Sequence, residues 1–160
     1  MKKVAILFIV LLTSSFVFAQ NTYVPDDKFE QALIDLGYDT TLDDYVLTAN
    51  ISGVTTLDVS NKEISDLTGI EAFTALIELN VNSNSLTSLD VSSNTALTEL
   101  HCNDNQLTYL NMRNGNTDAM TIFYAFENSL TCIETLDPDY ATANWTSANE
   151  NIDAGVTFDV

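Results

Sequence analysis

The sequence predicts an α/β solenoid of about four turns. Three observations carry that prediction. Apolar residues recur on one template of offsets 0, 3, 5, 10 and 13, four times in succession. An Asn stands at offset 8 in three of the four copies. A helix-like segment precedes the array and another follows it. The copies start at Val54, Leu76, Leu97 and Met120, so the successive spacings are 22, 21 and 23 residues. Self-similarity at such a period marks a repeat architecture whose units stack to bury a shared core.

Each repeat explains its own residues. Around offset 3 the chain alternates sides as a short strand, so Leu79 and Val81 point inward while Glu78, Asn80 and Asn82 point outward. The Asn at offset 8 (Asn84, Asn105, Asn128) turns the chain. Its amide is able to satisfy buried backbone groups, and stacked copies are expected to bond one another. The first copy has Lys62 there, with Asn61 beside it as a partial substitute. Leu86 and Leu89 line the opposite wall, and Asn94-Thr95-Ala96 returns the chain to the next strand. The short middle units leave room for extended or 3₁₀ segments on the convex side, but no full helix.

The pattern L-x-x-L-x-L-x-x-N-x-L, from about Val54 to Ile133, resembles leucine-rich repeats. The first unit, LDVSNKEISDLTGIEAFTAL, is similar to the 22-residue internalin-like subclass. The middle units, with LDVSSNTAL, resemble the shorter repeats of secreted bacterial proteins. The resemblance implies short parallel strands on a concave face and a binding role.

Four regions follow. Residues 1–19 read as a signal peptide: Lys2 and Lys3 precede an apolar run, and Val17-Phe18-Ala19 suits signal peptidase. Thr13, Ser14 and Ser15 cut that run too short for a membrane span. Residues 20–53 are an N-terminal cap whose helix carries Phe29, Ala32, Leu33 and Leu36 on one stripe and ends at Gly37. Residues 54–136 are the repeats (54–75, 76–96, 97–119, 120–136). Residues 137–160 are a C-terminal cap, with Asp137-Pro138 opening a short helix to about Ala143.

Composition narrows the partners. The net charge is −18, and loss of Lys2 and Lys3 with the leader takes it to −20. Lys28, Lys62 and Arg113 make no basic footprint, so nucleic acid is excluded and no membrane insertion is expected after export. Cys102 sits at an inward position and reads as a small core residue; a bridge to Cys132 would have to cross the core. Asp58, Asp90, Asp104 and Asp118 lie near turns without calcium-loop spacing. No cofactor motif occurs.

His101, the single histidine, has no serine or thiolate partner on its face, which argues against an enzyme. It also lacks a second strong ligand in the local sequence, so no metal site is expected. What remains is a surface of three outward columns: Thr56, Glu78, Glu99, Ile122; Asp58, Asn80, His101, Tyr124; and Ser60, Asn82, Asn103, Phe126. Its candidate ligand-binding residues are Glu78, Asn80, Glu99, His101, Asn103, Tyr124 and Phe126. Their partner is a protein or a glycan, with an accessory domain of a larger secreted enzyme or adhesin as the second reading. The apolar fourth rung is expected either to lie beneath the C-terminal cap or to form a binding hot spot.

Overall fold

The computed structural model describes residues Gln20 to Val160; the signal peptide read in the sequence lies outside them. The architecture is α/β, with ten three-residue strands and three short α-helices among the described residues. Strands β3 (Thr56–Asp58), β4 (Glu78–Asn80), β6 (Glu99–His101) and β8 (Ile122–Tyr124) form one parallel sheet. Strands β5 (Ser88–Asp90), β7 (Tyr109–Asn111), β9 (Cys132–Glu134) and β10 (Thr157–Asp159) form a second. The register of the first is Thr56↔Glu78↔Glu99↔Ile122, one repeat per rung. The extended segments expected opposite the first sheet are thus hydrogen-bonded into a sheet of their own. 3₁₀ turns occupy Ile70–Ala72 and Thr117–Ala119.

The template's apolar positions form the core between the sheets. Leu57, Leu79, Leu100 and Phe123 are buried from β3, β4, β6 and β8, and Leu89, Leu110 and Ile133 from the facing wall. Each such side chain contributes roughly 1.5–3 kcal/mol of hydrophobic stabilisation. Met120 alone of the template's apolar positions is only partly buried.

The Asn column works differently from the expectation. Each Asn amide donates to backbone of its own turn and of the preceding one: Asn105 Nδ2 to Cys102 O (3.2 Å) and Val81 O (3.0 Å). Its Oδ1 accepts from Leu86 N at 3.0 Å. Asn84 and Asn128 repeat the pattern. Stacked asparagines therefore grip neighbouring backbones, not one another. Asn61 does not stand in for the missing Asn; it takes a left-handed conformation (φ 56°), as do Ser83, Asp104 and Glu127 at the same offset.

At the N-terminal end, β1 (Asn21–Tyr23) pairs antiparallel with β2 (Tyr45–Leu47). Helix α1 (Asp27–Asp35) starts at Asp26, whose side chain accepts from Lys28 N and Phe29 N. Phe29, Ala32 and Leu33 are buried, and the Phe29 ring lies 6.4 Å from Phe73 of the first repeat. Leu36 departs from the predicted stripe: it is the C-cap of the helix and is 47% exposed. Glu30 is buried instead, its Oε1 accepting from Asp43 N and Tyr45 N. The first repeat and β1 meet at Gly69 (φ 106°), where a Cβ would sit 2.9 Å from Tyr23 O.

At the other end, helix α3 (Pro138–Asn144) begins at Asp137, which accepts from Tyr140 N. A four-residue helix α2 (Thr48–Ile51) precedes the first repeat. Trp145 is 4% exposed and stacks on Phe123, ring centroids 4.2 Å apart, with Phe158 at 5.8 Å on another side. These aromatics close the core beyond the fourth repeat.

Candidate functional site

The outward side chains of the first sheet stand in the columns that strand alternation demands. Register pairs Glu78 with Glu99 and Asn80 with His101, and His101 in turn with Tyr124. Glu78, Asn80, Glu99, His101, Asn103, Tyr124 and Phe126 are all half-buried. The structure therefore gathers every predicted site residue on one face.

Two features organise that face. The first is aromatic. The His101 ring meets Tyr124 edge-on at 5.4 Å, and Tyr124 meets Phe126 edge-on at 6.0 Å. Such contacts hold the rings in place at favourable quadrupole geometry. The C-terminal segment runs beside this rung, where Phe126 lines a hollow with Ser147, Glu150 and Ile152. Asn151 and Asp153 bond to the rung's backbone edge, through Ala125 N to Asn151 O (2.7 Å) and Glu127 N to Asp153 Oδ1 (2.9 Å). Ile122, Tyr124 and Phe126 keep half-exposed side chains.

The second is ionic. Glu78, Glu99 and His101 each bring one ligand-type atom within 4.8 Å of the others. The ground on which the sequence denied a metal site, that His101 lacks companions, is thereby removed. Glu99 stands two residues before His101 on the same strand, and Glu78 comes from the neighbouring rung. Two acids at one column position on successive rungs, with a His two residues along, are the signal that sequence reading passed over.

The turn carboxylates have structural duties. Asp58 accepts from Ser60 N (3.0 Å) and Asp90 from Ser92 N (2.8 Å), each closing a side-chain turn. Burial pushes the Asp58 carboxyl up, but bonds from Ser60 and Asn80 and the nearby His101 outweigh it and hold it below the usual carboxylate range. Cys102 is fully buried, and burial pushes its thiol far up, which removes it as a nucleophile. Cys102 and Cys132 are both free.

No protein-family model matches the chain. Internalin J of Listeria monocytogenes serotype 4b (strain F2365) is 37% identical over 74 residues, 46% of this chain and 8% of that protein. The solved functional domain of InlJ from Listeria monocytogenes, which includes a cysteine ladder, superposes with a TM-score of 0.52 at 28% identity. In sequence and in fold this chain resembles the internalin leucine-rich-repeat proteins. The InlJ match covers 72% of this chain and 30% of that one. A solved internalin, InlF of L. monocytogenes strain 4b F2365, has a TM-score of 0.56 at 22% identity over 68% of this chain and 32% of its own, a likeness of fold alone. The internalin-like chain thus spans less than a third of either solved relative. Its Cys102 stacks with Val59, Val81 and Ala125, an aliphatic column.

Among the described residues no helix is long and apolar enough to cross a membrane.

Proposed function

We propose that this is an exported, non-enzymatic binding module that recognises a protein on the concave face of its repeats, with the end segments acting as caps. One observation carries the reading: the ring row His101–Tyr124–Phe126 stays accessible on an otherwise polar sheet. Preordered aromatics lose little entropy on contact and concentrate binding energy. The polar rungs of Asn80, Asn82 and Asn103 beside them supply a hydrogen-bonding rim. The internalin likeness supports a protein ligand, and the leader-like 1–19 segment supports export.

The experiment is an array of surface proteins and glycans probed with the purified protein. Any partner found is then titrated against Tyr124→Ala and Phe126→Ala. We expect each substitution to weaken binding by at least about tenfold, which is roughly 1.4 kcal/mol. Thermal melts should stay near those of the parent, since both side chains are half-exposed. Unchanged affinity in both variants would move the binding surface elsewhere. Preferential capture of glycans would correct the ligand class.

A further inference from the structure

Glu78 and Glu99 occupy directly paired positions of the adjacent parallel strands β4 and β6. Strands so paired are about 4.8 Å apart, so the two carboxylates share one patch of the face. Like charges placed directly opposite across a sheet are destabilising. The basic side chains among the described residues are engaged elsewhere: Lys28 with Glu63, Lys62 with Asp35, and Arg113 with Glu134. Glu99 accepts a long 3.5 Å hydrogen bond from Thr121 Oγ1, too weak to balance a charge. His101 follows two residues along β6 on the same side, and its ring is steadied by Tyr124.

We propose that Glu78, Glu99 and His101 form a three-ligand site for a borderline divalent cation of the Zn²⁺ type, open on its outward side. The separations fit. Ligand bonds of about 2.0–2.2 Å place neighbouring donors about 3–3.5 Å apart, and donor atoms within 4.8 Å reach that by small rotations of two flexible Glu side chains. The donor set selects the ion. One imidazole with two carboxylates suits Zn²⁺ and its first-row neighbours, whereas Ca²⁺ asks for six or more oxygens. Three protein ligands leave a coordination position free for water or for a donor from a bound partner. The site shares His101 with the aromatic row but requires no partner to be measured.

The test is calorimetric titration of chelator-stripped protein with ZnCl₂, and separately with CaCl₂. One Zn²⁺ per chain is expected, with Ca²⁺ at least about tenfold weaker. His101→Ala and Glu78→Gln are each expected to weaken Zn²⁺ by at least about tenfold, no less than the loss of a group that merely supports a metal ligand. Their circular dichroism in EDTA should match the parent, His101→Ala should melt close to it, and Glu78→Gln should melt at or slightly above it because the Glu78–Glu99 repulsion is relieved. Backbone and imidazole NMR shifts on adding Zn²⁺ should centre on His101 and Tyr124. Zn²⁺ affinity untouched by His101→Ala, or matched by Ca²⁺, would mean diffuse attraction to an acidic surface and overturn the proposal. So would the lack of any Zn²⁺ binding. Either result leaves protein recognition by the aromatic row standing, since that is read from partner affinity after Tyr124→Ala.

Discussion

In three of the four repeats the Asn at offset 8 ties its own turn to the preceding one through side-chain bonds to backbone. Asn105 accepts from Leu86 N and donates to three carbonyls, those of Val81, Cys102 and Asn103. Asn105→Ala leaves Leu86 N without its partner, while the carbonyls of Val81, Cys102 and Asn103 keep bonds from Asn84, Asn128 and Ser83, at a cost of about 1–3 kcal/mol. Asn103→Ala, two residues away on the outward face, should stay within about 0.5 kcal/mol. Urea denaturation checks both; equal midpoints would deny Asn105 its role. The inward leucines and this Asn were legible because their periodicity follows from the coil itself. The partners of the Asn were not, since they lie a full turn back along the chain. The left-handed position before it was equally hidden: Asn61, Ser83, Asp104 and Glu127 share a backbone conformation and no side-chain chemistry. The Glu78–Glu99–His101 cluster needed register as well as alternation, and so appeared only with the sheet.

At the level of elements, Asp26 joins helix α1 to the first repeat. Its Oδ1 caps the helix, and its Oδ2 accepts from Ser65 N (2.9 Å), Ser65 Oγ (2.8 Å) and Asp66 N (3.0 Å). Burial raises this carboxyl, but the bonds from Ser65, Phe29 and Asp66 prevail and hold it below the usual value of 3.8. A folded-state value depressed in this way adds stability that is complete above the unfolded value and disappears as pH falls through the folded one. Asp26→Asn keeps an oxygen for the helix cap, yet its amide cannot accept the three bonds from Ser65 and Asp66. We expect a loss of about 1–3 kcal/mol at pH 7, shrinking as pH drops below about 4. Urea midpoints at pH 7 and pH 3 test this, and a gap independent of pH would contradict it. Helix α1 itself was legible from its apolar spacing and first-turn acids. The exchange of Leu36 for Glu30 in the interior was not, because it depends on the Asp43–Tyr45 loop needing an acceptor.

Over the whole molecule, stacking sets both the stability and its weakness. Each repeat buries its leucines against its neighbours, and the rings of Phe29 with Phe73 and of Trp145 with Phe123 pack at the two ends of the array. The same stacking lines up charges of one sign, and the chain carries 23 acidic residues against 5 basic ones, a net −18. Self-repulsion of this kind opposes the compact state and is screened by salt, the Debye length falling from about 30 Å at 0.01 M to about 10 Å at 0.1 M. Raising NaCl from about 0.01 M to 0.1 M at pH 7 should therefore stabilise the protein by about 1 kcal/mol, seen as a rise of about 2–4 °C in Tm. The rise should diminish at pH 4, where carboxylates begin to lose their charge. Salt acting through apolar burial would raise Tm equally at both pH values. An equal rise would therefore assign the effect to the core and remove charge repulsion as a limit on this fold.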